Sequence, residues 1–490
     1  MGEYLEKDFI YLQAGWIRNM EIIHVSAECY PVAKAGGLGD VVGALPKYQS
    51  KLGHMAKVVM PMYRTKFLAG NEWDLVHEGG QQIGSHHFNY AVIKEKTNKL
   101  GFDLYLVDIY GLLDREKVYG YDDDTDRFVA FQVAVVDWIS KWTHTPDIVH
   151  CHDHHTGLIP FFFKYAFQFN HLASVPTVFT IHNGEYQGQF GWERSHLLPS
   201  YDSYKWGYLD WNKTINPFAS AVKCAWKVTT VSPSYLDELK YAANGLEMLM
   251  QYEQGKCVGI LNGIDTEVWD PATDELLVKN FDDHDVKEGK KKNKKELATR
   301  FGLDADKPLI AFIGRLVGEK AADILPDAIR NSIYQHHGAV NFLILGSGDP
   351  VVEARLEETK HQLGGFVGTY IGYNEALSHL IYAGADFLLM PSRVEPCGLN
   401  QMYALRYGTV PMVRSTGGLK DTVRDFGEWQ GFGIRFNNAD VNDVTYSVGR
   451  AIDLYYNKKD LYNWMRSFMM NIDHSWDASA EDYIRLYQSL

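Results

Sequence analysis

Residues 392–421 read SRVEPCGLNQMYALRYGTVPMVRSTGGLKD. A lone acid, Glu395, precedes Gly398 and a helix-like run. Further on, Ser415-Thr416-Gly417-Gly418 turns into a second helix-like run. Unpaired N–H groups and the positive end of the dipole make two adjacent helix starts an anion seat. A carboxylate beside such a seat points to chemistry next to a bound phosphate. Short apolar runs, Asp386 to Met390 and Val410 to Val413, come before the two turns. Strand, glycine turn and helix in succession define the parallel α/β repeat, with the turns at the strand ends where ligands bind.

The same repeat extends outward in both directions. In the first half, Glu21 to Ser26 leads into the glycine turn 34–40 and a helix from Val41 to Leu52, followed by a strand at Lys57 to Met60. Asp147 to His150, Thr177 to Ile181 and Lys227 to Val231 each run into polar residues. In the second half, Pro308 to Ile313 precedes Gly314-Arg315, and Asn341 to Leu345 precedes Gly346-Ser347-Gly348. This predicts two Rossmann-like, doubly wound α/β domains facing an interdomain cleft lined by strand ends. The division expected is an N-terminal extension (1–19), a first domain (20–280), a linker (281–300), a second domain (301–470) and a last helix (471–490). The lysine run reads as a solvated linker and helix start.

Composition narrows the function classes. The 490 residues, 46% hydrophobic and 22% charged, are those of a water-soluble chain of more than one domain. A net charge of −14 argues against a nucleic-acid binder while leaving an uncharged polymer acceptable. Five scattered cysteines without a CxxC pair predict neither a disulfide framework nor a structural zinc site, and suit a reducing cytoplasm. No apolar run is long enough to cross a membrane, and residues 1–19 lack the core of a secretory signal.

Individual residues then suggest chemistry. Arg315 and Lys320 follow a strand and would reach a diphosphate, one as a planar fork and one as a point charge. Gly36 and Gly37 permit close backbone approach or positive φ beside Lys34. His182 and Asn183 end a strand, and Asp153 and Asn262 are further cleft candidates. His150, His152, His154 and His155 invite a zinc reading, but a third and fourth ligand are not apparent, so no metal is expected. Asp122-Asp123-Asp124 reads as a solvated loop. Cys397, at a helix start, is expected to have a lowered pKa and to be open to modification. Tyr186, Trp192 and Trp206 offer aromatic faces for ligand stacking, with core packing as the alternative.

Eight segments carry a resemblance: KAGGLGDVVGALPK (34–47), HCHDHHTG (150–157), FTIHNGEYQG (179–188), TTVSPSY (229–235), LNGIDTEVWDP (261–271), GRLVGEK (314–320), EPCGLNQMYALRYG (395–408) and STGGLKDTV (415–423). In this order they resemble the bacterial and plant-type glycogen (starch) synthases, retaining GT-B enzymes of glycosyltransferase family 5. The resemblance implies glucose transfer from ADP-glucose, or UDP-glucose, to the non-reducing end of an α-1,4-glucan, with no cofactor, metal, nucleic acid or membrane partner. It implies catalytic roles for Glu395, His182, Arg315 and Lys320. Donor contacts are implied for Lys34, Gly36, Gly37, Asn262, Gly398, Leu399, Thr416, Gly417 and Gly418, with Asp40, Asp153, Asn183, Cys397 and Tyr403 as further cleft residues. Two departures stand out. Glu319-Lys320-Ala321 replaces the family's usual Gln-Lys-Gly, and Tyr403 stands where the wider retaining group has a second glutamate. The alternatives are another GT-B transferase, or an inactive glucan-binding relative; the presence of Glu395, Arg315 and Lys320 argues against the latter.

Overall fold

The computed structural model describes residues 19–490, and the expected N-terminal extension lies almost wholly outside the described residues. Two compact units emerge. One holds the chain up to Thr229 with Met248–Lys256 and Ala480–Leu490, and the other holds Thr230–Glu247 and Cys257–Ser479.

The first unit is built on strands β1 (Glu21–Val25), β2 (Met55–Pro61), β3 (Trp73–Ile83), β4 (His86–Glu95), β5 (Asp103–Asp108), β6 (Ile148–His152), β7 (Thr177–Ile181) and β8 (Lys227–Thr230), in the spatial order 8-7-6-1-2-5-4-3. Strand β1 is central. It pairs in parallel with β2 and β6, placing His24 opposite Val58 on one side and His150 on the other. Burial on both faces explains its apolar run. The chain leaves β1 for β2 on one side and returns as β6 on the other. Their carboxyl ends therefore form a topological switch point, the place where open α/β sheets bind ligands. The hairpin β3–β4 and the antiparallel pairing of β4 with β5 are not evident from the sequence pattern. The first edge strand, WDLVHEGGQQI, is largely polar and solvent-facing, so it lacks the apolar signature of a buried strand.

The second unit carries a wholly parallel sheet of β9 (Leu309–Ile313), β10 (Asn341–Gly346), β11 (Val367–Ile371), β12 (Phe387–Met390), β13 (Val410–Arg414) and β14 (Ile434–Phe436), in the order 11-10-9-12-13-14. Its switch point lies between β9 and β12. These strands lead into Arg315 and Lys320 on one side and Glu395 on the other, so the topology alone brings those residues to one edge. Ile310, Phe342, Ile344, Phe387 and Met412 fill one face of this sheet, and Ala311, Leu343, Leu345 and Leu388 the other.

The lysine run lies on the helix Val286–Phe301, but it is not wholly solvated, because two of its lysines are buried. Lys290 Nζ reaches Tyr382 O at 3.0 Å, Ala383 O at 3.2 Å, Tyr407 O at 3.0 Å and Thr409 Oγ1 at 2.6 Å. These carbonyls close the helices Glu375–Gly384 and Asn400–Arg406, whose negative dipole ends favour a cation. Lys294 pairs with buried Asp386 at 2.7 Å. A run of lysines looks solvated because the cost of burial is visible in sequence, whereas the carbonyls that offset it come from distant helices. Replacing Lys290 by Met leaves those acceptors unpaired. Calorimetric melting should show a loss of roughly 2–4 kcal/mol, whereas a solvated lysine would give less than about 0.5 kcal/mol.

Candidate active site

The second unit gathers one cluster. Glu395 is 6% exposed, and its Oε2 lies 2.6 Å from Lys320 Nζ and accepts from Ser392 Oγ at 2.9 Å. Residues 391–399 are irregular, and the helix begins only at Asn400, whose Nδ2 donates to Ile313 O at 2.7 Å and ties the segment to the end of β9. Gly417 and Gly418 press on this segment. A Cβ on Gly417 would lie 2.0 Å from Glu395 O, and one on Gly418 would lie 2.1 Å from Cys397 O. Gly417 also has φ of +43°, so both steric and backbone terms demand glycine there. Arg315, by contrast, is exposed, with Nη2 3.0 Å from Glu319 Oε2. An exposed pair of this kind is worth about 0–1 kcal/mol, so Arg315 is readily released to a stronger anion.

The expected seat at Gly417 differs from the sequence reading. Gly417 N–H and Thr416 Oγ1 both donate to Glu238 Oε1, at 2.7 and 3.0 Å, and the helix there spans only Gly417–Thr422. Glu238 was not legible as a partner because it lies far away in sequence. Cys397 also departs from expectation. Burial pushes its thiol up to about 12, because the charged form is desolvated. Tyr403 stacks on Trp269 at 3.9 Å, and Tyr382 meets it edge-on at 5.7 Å, so its ring serves packing. Asn262 is buried with its Oδ1 unpartnered, Leu399 caps the helix at Asn400, and Gly398 adopts φ of +74°.

The first unit has its own cluster at the β1–β6 switch point. Lys34 is exposed and pairs with Asp40 Oδ1 at 2.6 Å. Burial raises the Asp40 pKa against the opposing pull of Lys34. Gly36 is extended, with φ of −147°, and Gly37 starts the helix α1 (Gly37–Lys51); neither needs positive φ. Both have open space where a Cβ would stand, so they leave room beside Lys34. Glu28, which the sequence reading missed, is buried and orders this turn. Its Oε2 accepts from Ala35 N at 2.6 Å and Gly36 N at 2.8 Å, and its Oε1 accepts from Tyr119 Oη at 2.7 Å. An acid just beyond a central apolar strand was the available signal.

Asp153 and His182 meet beside it. Asp153 takes φ of 55° and ψ of −179°, a region nearly confined to glycine that costs about 1–3 kcal/mol and concentrates at functional sites. Its Oδ1 accepts from His182 N at 2.8 Å. Asn183 Oδ1 accepts from Glu185 N at 2.9 Å and shapes the following turn. Burial lowers the His182 pKa to about 3 and keeps the ring neutral. His24 joins His150 and His152 within 4.8 Å, completing a triad that the sequence did not reveal. Its six ring nitrogens are all engaged in hydrogen bonds, and the His150 and His152 rings stack at 25°, so their lone pairs do not converge on one point. Asp123 and Asp124 pair with Arg115 and Arg127 at the start of a helix. Tyr186 and Trp206 expose their rings, while Trp192 is held by Asp210 at 2.7 Å.

Two doubly wound α/β units, one with a mixed sheet and one wholly parallel, each carry a charged cluster at a switch point. Residues 21–252 match the family described as Starch synthase catalytic domain, and residues 293–445 match Glycosyl transferases group 1. The chain is 52% identical over 468 residues to a Glycogen synthase of Flavobacterium johnsoniae, covering 96% of this chain and 98% of that one. It is 38% identical to a Glycogen synthase of Streptococcus gordonii, covering 96% and 100%. The solved catalytic domain of starch synthase IV from Arabidopsis thaliana, bound to ADP and acarbose, superposes with a TM-score of 0.84 at 31% identity, covering 96% and 99%. A sucrose-phosphate synthase from Thermosynechococcus elongatus shares the fold, with a TM-score of 0.61 at 16% identity and coverage of 96% and 99%. The architecture is therefore that of a GT-B glycosyltransferase. The chain belongs to the glycogen synthase family and is a glycosyltransferase that moves glucosyl units onto a glucan.

Asp153 sets a pH window. Burial raises its pKa from 3.8 to about 7, so the protonated form stabilises the fold. That contribution is complete below pH 3.8 and is lost as pH rises through about 7. Asp153→Asn mimics the protonated form. In denaturant unfolding its stability should gain on that of the wild type across this window and level off above it, whereas a constant offset at every pH would contradict the assignment.

Proposed function

We propose that the donor is ADP-glucose, that transfer to the non-reducing end of an α-1,4-glucan retains configuration, and that the reaction needs no metal. The observation that carries this reading is the Lys320–Glu395 pair at the second switch point. Among the described residues Lys320 is the cation in contact with the buried acid, at 2.6 Å, and only 23% of its side chain is exposed. In the proposed cycle the diphosphate is taken by Lys320 and Arg315, whose positive charges stabilise the negative charge that grows as the glycosidic bond breaks. Glu395 then faces the sugar, where it stabilises positive charge at the anomeric carbon or holds hydroxyls. The Gly417 N–H donates to a phosphate oxygen once the Glu238 carboxylate releases it. Gly398, Leu399, Thr416 and Asn262 complete the donor contacts.

The first unit is proposed to supply Lys34 for the donor's negative charge and His182 for the transferred sugar. Asp153 and Asn183 position His182, and Asp40 positions Lys34. Tyr186 and Trp206 present stacking faces to the acceptor. An ADP-bound relative supports the adenine nucleotide over UDP-glucose. Buried free cysteines are consistent with a reducing cytoplasm, and among the described residues no helix is long and apolar enough to cross a membrane.

Incubation with glycogen and either ADP-glucose or UDP-glucose tests the reading. Nucleotide release matched by glucose incorporation is expected with ADP-glucose. Glu395→Gln, which removes a charge and little volume, should fold normally and lose at least about a hundred-fold in kcat. A preference for UDP-glucose would overturn the donor assignment, and wild-type turnover in Glu395→Gln would overturn the role of the acid.

A further inference from the structure

A buried chain of side chains runs through the first unit to His182. Gln49 Oε1 lies 2.7 Å from His24 Nε2. His24 Nδ1 lies 3.0 Å from His152 Nε2, and His152 Nδ1 lies 2.9 Å from His182 Nε2. Gln49, His24 and His152 are 0% exposed and His182 is 8% exposed, so water does not compete for these contacts. Burial holds His24 down to about 4 and His152 well below the usual range, which keeps the rings neutral.

A neutral imidazole has one donor nitrogen and one acceptor nitrogen. A file of neutral rings must therefore point its protons one way, and the group at its end chooses the direction. Gln49 turns its carbonyl toward His24 and its amide nitrogen toward Tyr487 Oη, at 3.2 Å. Its carbonyl only accepts, so His24 donates from Nε2 and accepts at Nδ1. His152 then donates from Nε2 and accepts at Nδ1, and His182 must donate from Nε2. The second branch agrees. Tyr487, accepting from Gln49, donates to His150 Nδ1 at 2.7 Å, and His150 Nε2 donates to Thr180 Oγ1 at 2.5 Å. Thr180 passes its proton to Thr229 Oγ1 at 2.5 Å. Each ring nitrogen of His24, His150 and His152 is thereby matched donor to acceptor.

We infer that Gln49 is a positioning residue: through His24 and His152 it fixes His182 as the Nε2–H tautomer and leaves Nδ1 as a bare acceptor for a hydroxyl of the transferred sugar. The inference rests on the reading of His182 as a sugar contact. It assigns work to residues distant from the reacting atoms, Gln49 on α1 and Tyr487 near the end of the chain. A tautomer held in advance costs no reorganisation when the sugar binds.

Nitrogen-15 NMR of the full chain labelled at histidine, with His182 assigned by comparison with His182→Gln, reads the tautomer directly. The expected wild-type spectrum has His182 protonated at Nε2 and bare at Nδ1. Gln49→Met removes the terminal acceptor; His182 should lose its single tautomer and kcat should fall about ten-fold with the KM for donor within about two-fold. Gln49→Glu restores an acceptor and should recover the tautomer and most of the lost kcat. A proton on Nδ1 of wild-type His182 overturns the inference even if Gln49→Met fails to fold, and so does an unchanged tautomer in Gln49→Met. If His182→Ala retains wild-type turnover, the sugar-contact reading falls and takes the inference with it. If His182→Ala is inactive but the wild-type Nδ1 is protonated, only the inference falls.

Discussion

The second unit depends on a backbone contact too close for any side chain. Gly417 and Gly418 lie against the carbonyls of Glu395 and Cys397, where a Cβ would stand about 2 Å from an oxygen. That contact lets two turns from neighbouring strands share one edge of the sheet. It fixes the irregular segment 391–399, and with it the direction in which Glu395 emerges. Ser392 and Lys320 then hold the carboxylate from two sides. A buried charge is tolerated only with such partners. Sheet topology brings β9 and β12 together, the glycines permit the approach, and the ion pair follows from both.

Both units also use an internal carboxylate to order a glycine turn. Glu28 accepts from the N–H groups of Ala35 and Gly36, and Glu238 accepts from the Thr416 hydroxyl and the Gly417 N–H. The same donors that suit a phosphate suit a carboxylate, because both are acceptor-only anions. The turns are thereby shaped before substrate arrives. The two acids differ in burial, and this divides their proposed roles. Glu28 is deep and shared with Tyr119, a fixed strut, whereas Glu238 is half-buried and can yield its place.

Much of this was legible in the sequence, for physical reasons that differ by residue. Central strands such as β1 and β9 carry short apolar runs because both faces are covered, and a glycine turn lies beyond each. The edge strand β3 was missed because it is largely polar and solvent-facing, and β14 because three residues are too few to show a pattern. Glu395, Lys320 and Arg315 stood out as charges at strand ends. Their partners did not, since Ser392 looked like loop, and Glu238 and Glu28 act across the fold. Lys290 and Lys294 were read as solvated because their carbonyl and carboxylate partners lie about a hundred residues away in the chain, beyond any local pattern. Cys397 was misread for the opposite reason: a local rule about helix starts was applied where burial dominates.

The central claim is that Glu395 and Lys320 act as one unit at the reacting centre. A double-mutant cycle on kcat/KM with ADP-glucose and glycogen tests it most directly, using Glu395→Gln, Lys320→Met and the combination. The account predicts strong coupling, with the double variant little worse than the more damaged single variant and an interaction energy above about 1 kcal/mol. Losses that simply add, within about 0.5 kcal/mol, would show two independent residues and contradict it.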